Sequence, residues 1–477
     1  MTDKSQDLFD SEALFNEAES NAKAKGPVTC LGKTFANDDE RRAFFREELR
    51  TKLPELKKIE GFPIGEDDDV INLSDPPYYT ACPNPWLDDF VKEWEEEKKA
   101  LEAKKLRKAT FEVHAPYASD VSEGKNNPIY NAHSYHTKVP HPAIMRYILH
   151  YTQPGDIVLD GFAGTGMTGV AAQMCGNPDP DLKFKIENEF TANGLEKPVW
   201  GARKAICGDL SPIASFIAYN YNTPVDVQEF EREAKRILAE VEKECGWMYE
   251  TKHSDGSTGR INYTVWSDVF ICPNCGKEII FWDAAVDKEK GEVRDKFACP
   301  SCKAMHVKRG LEKAMVTVYD QALKETIRQA KTVPVLINYT ANGKRHEKSP
   351  DDADLALIAK IDATEIPYWY PTDRMTEGKE ARRNDGAGIT HVHHFYSKRN
   401  IAYYASLLKK YSNPYLLVWI TSSQIRTTKM YKWVPVISNG KLVDRRTGTV
   451  SGTYYIPSIF DENNPFDGSS AHLSSRL

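Results

Sequence analysis

Apolar positions along this chain follow two rhythms. Between Asn37 and Leu56, Phe44, Phe45, Leu49 and Leu53 recur at helical spacing among charges, which predicts an amphipathic helix packed on a domain. Pro154-Gly155-Asp156 leads into the short apolar run Ile157 to Leu159, which reads as a buried parallel strand closed by Asp160, and Met167 to Met174 continues as a helix. Lys204 to Cys207 reads as a second strand, with Asp209 at its end and a helix from Ser211 to Tyr221. Asp226-x-x-Glu229 has the form of a capping box, opening a helix with Phe230, Ala234, Ile237, Leu238 and Val241 on one face. Asp69 to Leu73 reads as a strand, Lys92 to Lys108 as a solvated Glu/Lys helix, and Gly310 to Val335 as a helix. Residues 1 to about 26 are polar and acidic and read as a mobile or loosely docked helix; 340 to 390 is polar and Pro-interrupted.

Composition narrows the class. The chain has 477 residues, 40% of them hydrophobic, enough for about two to four packed domains. The N-terminus has no apolar core of a signal peptide, and no apolar run approaches the roughly twenty residues of a membrane span. Nine cysteines, four of them in tight pairs, point to a metal site in a reducing compartment, with the cytoplasm as the expected location. A net charge of −6 excludes a uniformly basic nucleic-acid binder, so any DNA contact must come from a local patch. Such a patch lies between His391 and Arg446, where ten basic residues face one acid. Lys398, Arg399, Arg426, Lys429, Lys432, Arg445 and Arg446 are its candidate DNA contacts, with Tyr396, Tyr403, Tyr404, Tyr431 and Trp433 interleaved for stacking.

Three motifs carry chemistry. The first is Asp160-Gly161-Phe162-Ala163-Gly164-Thr165-Gly166-Met167-Thr168-Gly169, glycines on a strand-to-helix turn where backbone N–H groups can approach a nucleotide-like ligand. Gly164-x-Gly166-x-x-Gly169 alone also satisfies the dinucleotide fingerprint, or could be a ligand-free turn. A dinucleotide site wants an acid about twenty residues on; Glu187 and Glu189 close no strand, whereas Asp209 does. The second motif is Asp75-Pro76-Pro77-Tyr78. Adenine N6 and cytosine N4 are poor nucleophiles because the lone pair is delocalised into the ring. The Asp75 carboxylate and Pro76 carbonyl can draw the two amine N–H groups out of plane while Tyr78 stacks on the base. The third is Cys272-x-x-Cys275 with Cys299-x-x-Cys302, four thiolates at the spacing of a closed structural zinc site, with Gly276 allowing the tight turn of a knuckle. His391-x-His393-His394 has metal-ligand character but no carboxylate close in sequence, and reads as a strand.

With these residues in view, the chain resembles the amino-methylating DNA methyltransferases of the N4/N6 class. The order, Asp-Pro-Pro-Tyr before the glycine loop, matches their permuted group. His133-Ser134-Tyr135-His136-Thr137-Lys138-Val139-Pro140-His141-Pro142 is similar to the family's lead-in, which packs over the methionine part of the cofactor. The resemblance implies S-adenosylmethionine (SAM) as cofactor. Asp160, Gly161, Phe162, Ala163, Gly164, Gly166 and Thr168 would hold its methionine end and Asp209 its ribose hydroxyls. It implies DNA as substrate, base flipping, and adenine rather than cytosine because Asp75 stands where cytosine enzymes usually carry Ser. More loosely, the chain looks like the large bacterial DNA methylases with an embedded zinc ribbon, found in restriction-modification or phage-defence settings. Those relatives imply a second Pro-Pro-aromatic motif after a segment like Gly452 to Ser458; Asn463-Asn464-Pro465-Phe466 lacks the second proline, as a truncated member would. About fifty residues separate Tyr78 from His133, too few for the further strands of a permuted enzyme.

The expected architecture is α/β: a Rossmann-like SAM-dependent methyltransferase sheet with an inserted four-cysteine zinc ribbon and a basic C-terminal region. Its parts are a helical segment at 1–61, a catalytic domain at 62–225 completed by C-terminal strands, a helical connector at 226–265, the ribbon at 266–308 and the basic region at 309–477. The expected function is adenine-N6 methylation of DNA. The alternatives are a SAM- and DNA-binding subunit or fragment without activity, or an N-methyltransferase acting on RNA or protein glutamine.

Overall fold

A computed structural model describes residues 26–118, 122–135, 138–287, 289–411, 414–438 and 441–467, with side chains between 436 and 447 excluded; the N-terminal helix expected over 1–25 lies outside them. The chain divides into two compact units, one of residues 1–130 and 137–224, the other of 131–136 and 225–477.

The first unit opens with the hairpin β1 (Val28–Cys30) and β2 (Lys33–Phe35), then α1 (Asp38–Leu56). Asn37 caps α1 by accepting the Glu40 N–H at 2.9 Å, and the helix buries Phe45, Leu49 and Leu53 as its periodicity predicts. It also buries Arg41, which periodicity alone assigns to solvent. The strand expected over Asp69 to Leu73 is instead a helix, α2 (Asp67–Leu73). Asp67, Asp68 and Asp69 suit the positive end of a helix, and Val70 and Ile71 are buried side by side rather than alternately. Helix α3 (Leu87–Ala103) buries no residue, in keeping with its charged composition. Then follow α4 (His141–Tyr151), β3 (Ile157–Asp160), α5 (Met167–Met174), α6 (Pro180–Ala192), β4 (Lys204–Cys207) and α7 (Pro212–Asn222). Met145, Leu149, Ala171, Cys175, Ile186 and Phe190 form the core between α4, α5 and α6.

Strands β3 and β4 pair in parallel, Ile157 with Lys204 through Asp160 with Cys207. Among the described residues they form a two-stranded sheet of their own. The strands expected from the C-terminal half to complete a Rossmann-like sheet go elsewhere, into the sheet of the second unit. There the fourteen-residue β5 (Thr258–Ile271) is the spine.

After α8 (Val227–Cys245) and β5, the helix expected over Gly310 to Val335 is replaced by β6 (Met315–Asp320), β7 (Glu325–Ala330) and β8 (Thr332–Ala341). Val316, Thr317, Val318, Thr326 and Ile327 favour a pleated surface, and Asp320 Oδ1 closes the β6–β7 turn by accepting the Ala322 and Leu323 N–H groups at 2.9 and 3.1 Å. The remaining elements are β9 (Lys344–Lys348), α9 (Asp352–Ala363), α10 (Lys398–Lys410), α11 (Pro414–Ser422), β10 (Lys432–Ser438), β11 (Lys441–Gly448) and β12 (Ile459–Asn463). The main sheet runs β9-β8-β5-β12-β10-β11, all antiparallel. Ile237, Val241, Tyr249, Tyr339, Tyr403 and Leu407 pack helices α8 and α10 against it.

Gly166 tests the first unit's packing. Its φ is +74°, and a Cβ there would stand 2.7 Å from the Ala218 Cβ and 2.9 Å from its Cα on α7. Gly166→Ala is expected to cost roughly 2 kcal/mol or more in urea denaturation. Gly164→Ala, at φ +54° with nothing within 4 Å, should cost only the left-handed strain of about 1 kcal/mol. Equal costs at the two positions would contradict this packing.

Candidate functional site

The glycine turn and the proline motif are both fastened to α7. Tyr219 donates its hydroxyl to Asp75 Oδ2 in a very short hydrogen bond, and Tyr79 stacks on Tyr219 with centroids 5.0 Å apart. Three residues further along, Asn222 Nδ2 donates to the Gly166 carbonyl at 3.1 Å, and its amide would collide with a Cβ at Gly169. Gly166 and Gly169 therefore serve close packing of α5 against α7, while Gly161 and Gly164 face open space.

At the turn itself, Asp160 Oδ2 accepts the Thr168 hydroxyl at 2.6 Å and Oδ1 accepts the Phe162 N–H at 3.1 Å. Asp209 Oδ2 accepts the Gly164 N–H at 3.0 Å and Oδ1 that of Ser211 at 2.9 Å. Ala163 N–H donates to the Gly208 carbonyl, and Gly208 N–H to that of Asp160, so the ends of β3 and β4 share one loop system. Each carboxylate spends two lone pairs on this scaffold and keeps two, which fits a ligand offering hydroxyl or ammonium donors. Phe162 is 85% exposed beside it.

Asp75 is only 6% exposed and its motif is fully engaged. The loop pairs with itself through Asp75 and Tyr79, and the Pro76-Pro77 peptide is cis. From α1, Arg41 donates Nη2 to Asp75 Oδ1 at 2.8 Å and Nη1 to the Pro76 carbonyl at 2.6 Å, while Arg42 Nε reaches Asp75 Oδ1 at 3.1 Å. The Arg41 guanidinium also lies 4.9 Å from the centre of the Tyr78 ring. Burial alone would raise the Asp75 pKa, but the Tyr219 hydroxyl and the Arg41 and Arg42 charges outweigh it and hold the carboxyl below its ordinary range. Sequence reading treats α1 as scaffold and gives no sign of Arg41, Arg42 or Tyr219, which lie far from Asp75 along the chain. The lead-in to the glycine turn divides between the units: His141 is buried in the first, and His133 Nε2 lies 3.3 Å from Thr421 Oγ1 in the second.

The four cysteines converge. Cys272 Sγ lies 3.6 Å from Cys302 Sγ and Cys275 Sγ 3.8 Å from Cys299 Sγ, close to the edge of about 3.8 Å for a tetrahedron with Zn–S bonds of about 2.3 Å. The two knuckles are built alike. Gly276 N–H returns to the Cys272 carbonyl at 2.8 Å and Lys303 N–H to that of Cys299 at 3.0 Å, with Gly276 and Lys303 both at positive φ. The donor set and geometry fit zinc.

Of the basic residues expected to meet DNA, Arg399 does not reach the surface. It is 4% exposed and bonds Glu462 through Nε at 2.7 Å and through Nη2, with Thr264 Oγ1 at 2.8 Å. A guanidinium so placed is a buried ion pair, not a phosphate contact. Arg426 and Lys432 are exposed, Lys398 and Lys429 half-buried; Arg445 and Arg446 stand on β11, their side chains outside the described ones. His391 to His394 forms a short 3-10 turn rather than a strand, and tertiary folding brings the carboxylate that sequence spacing lacks: Asp320 Oδ2 lies 2.9 Å from His393 Nε2 and 2.8 Å from His394 Nε2. Yet His394 Nδ1 accepts the Thr390 N–H at 3.1 Å, which puts the ring proton on Nε2, facing Asp320. A metal on that nitrogen would force two N–H groups against each other, so the triad is a hydrogen-bonded cluster.

Residues 34–178 match the model of a DNA methylase family, the N6/N4 type, a span that holds both the Asp75 motif and the glycine turn. That stretch is similar to the DNA amino-methyltransferases of this family. No curated protein and no solved structure matches the chain. Among the described residues, no helix is long and apolar enough to cross a membrane.

Two outcomes are expected. Elemental analysis should find one zinc per chain, lost in Cys272→Ser or Cys299→Ser and retained in His393→Ala/His394→Ala; a metal lost with the histidines would overturn the tautomer argument. A double-mutant cycle of Arg41→Met and Asp75→Asn should give a coupling of about 1–2 kcal/mol, since the pair is buried but each partner keeps a second ion pair, Asp75 with Arg42 and Arg41 with Asp38 at 2.8 Å. Because the Asp75 pKa is lowered, that coupling is present above the ordinary carboxylate value of about 3.9 and is lost as pH falls through the lowered one.

Proposed function

We propose that this chain transfers a methyl group from SAM to the exocyclic amine of a DNA base, adenine N6 ahead of cytosine N4, after the base is turned out of the duplex. The observation that carries the reading is the common helix α7: it holds Asp75 through Tyr219 and the glycine turn through Ala218 and Asn222, so amine acceptor and cofactor loop share one local framework. SAM, when bound, supplies the activated methyl carbon. Asp160, Gly161, Phe162, Ala163, Gly164 and Thr168 would receive its methionine end, and the two unspent lone pairs of Asp209 its ribose hydroxyls.

Asp75 and the Pro76 carbonyl orient the amine. Arg41, Arg42 and Tyr219 use three of the four carboxylate lone pairs, and Arg41 uses one of the two on the carbonyl. One acceptor position remains on each, one for each N–H of the amine. Tyr78, 47% exposed with Arg41 in place, supplies the stacking surface. Asp rather than Ser at position 75 favours adenine. The cysteine cluster takes zinc in a structural role, and cytoplasmic residence with restriction or phage-defence partners follows from the same resemblance.

A second reading, a SAM- and DNA-binding part that needs completion, is favoured by the small β3–β4 sheet, where Leu159 and Leu210 are 74% and 89% exposed. Purified chain incubated with labelled SAM and mixed-sequence DNA separates the two. Incorporation into adenine that falls about a hundredfold or more in Asp75→Asn supports the enzyme. SAM and DNA binding without incorporation supports the partial unit, and label in RNA or protein alone rejects the DNA reading.

A further inference from the structure

The second unit holds a cavity of about 490 Å³ that none of the motifs above explains. Its size is that of a small-molecule site. Trp266 of β5 and Phe460 of β12 form one wall, their rings within 7° of parallel and 6.5 Å apart as a cross-strand pair, and Tyr319 and Tyr370 also line it. Lys398, at the N-terminus of α10, and Lys429 line it as well.

The charges facing the cavity decide what it can hold. Arg399 and Glu462 neutralise each other in a closed pair. Asp320 is saturated, with two backbone N–H groups on Oδ1 and two imidazoles on Oδ2. What remains is Lys398, bonded only to the neutral Gln321 Oε1 at 2.6 Å, Lys429, and Asp362. No described carboxylate lies within ion-pairing distance of either lysine. Burial pushes Lys429 down to about 8, with Glu462 and Asp362 opposing, so it stays cationic at neutral pH; burial raises Asp362. Asp320, hydrogen-bonded but ionised, and Asp362 balance the two lysine charges over the lining as a whole, so what favours an anion is local: two ammonium groups with no described carboxylate in ion-pairing distance, one of them at the partial positive end of the thirteen-residue α10.

We propose that this cavity binds one nucleoside monophosphate unit, its base against the Trp266 and Tyr370 rings and its single phosphate charge at Lys398 and Lys429. Aromatic faces beside two ammonium groups without ion-pair partners suit a base carrying a phosphodiester. The choice of a DNA strand as the source of that unit rests on the methyltransferase reading; the pairing of ring and phosphate does not.

The test is binding to the full zinc-loaded chain without SAM, by fluorescence anisotropy. The probes are a short mixed-sequence single-stranded oligodeoxynucleotide, the same strand with abasic sugars, and free deoxyadenosine 5′-monophosphate as competitor. Tyr370→Ala and Lys398→Gln, each checked for an unchanged thermal midpoint, should weaken the single strand about tenfold, and the abasic strand should bind wild type about as weakly as Tyr370→Ala binds the normal one. Quenching of Trp fluorescence by the strand should disappear in Trp266→Phe. Competition by the free nucleotide at concentrations similar to the strand's would identify a free nucleotide as occupant. Affinities unchanged within twofold in both variants, or equal binding of abasic and normal strands, would overturn the proposal. Failure of these binding outcomes with methyl transfer from labelled SAM intact sinks only this site, and the reverse outcome sinks only the methyltransferase reading.

Discussion

The chemistry of the first unit depends on the close approach of α5 to α7. Two glycines let the helices meet where side chains would hold them apart, and Asn222 closes the contact by bonding the Gly166 carbonyl. With α7 fixed in this way, Tyr219 arrives at Asp75 and Pro212 lies against the Tyr79 hydroxyl, at 3.4 Å. Asp209 precedes the same helix and braces Gly164. An eleven-residue helix thus ties together two motifs that are about ninety residues apart in the chain.

How far this was legible in the sequence differs by motif. The glycine turn, the strands on either side of it and the cysteine knuckles were readable because each is a local device: spacing and turn chemistry within a few residues determine them. Lys303 completing the second knuckle at positive φ, where the first has Gly276, shows how little more than spacing was needed. Asp69 to Leu73 misled because a short apolar run between acids fits strand or helix alike, and the acids at its start decided for a helix. Gly310 to Val335 misled in the opposite sense, its β-branched residues outweighing its charged ones. The engagement of Asp75 by Arg41 was illegible: a buried arginine on an amphipathic helix looks solvated until its partner is known.

The second unit makes the same point with charge. A run of ten basic residues against one acid suggested a single DNA-facing patch. Folding sorts the run instead: Arg399 is sunk against Glu462 in the core, Lys398 and Lys429 turn toward a cavity, and Arg426 and Lys432 stay in solvent. A local charge count measures supply, not placement, because burial and pairing depend on carboxylates such as Glu462 that lie outside the run.

The guanidinium at Asp75 has a chemical consequence of its own. A carboxylate in any cleft that holds an alkylating donor is itself a nucleophile and can be esterified in place of the intended acceptor. With three lone pairs given to Arg41, Arg42 and Tyr219 and the charge balanced by two cations, the Asp75 oxygens have little electron density to offer an electrophile. In the resting chain the motif is thereby shielded from damaging itself.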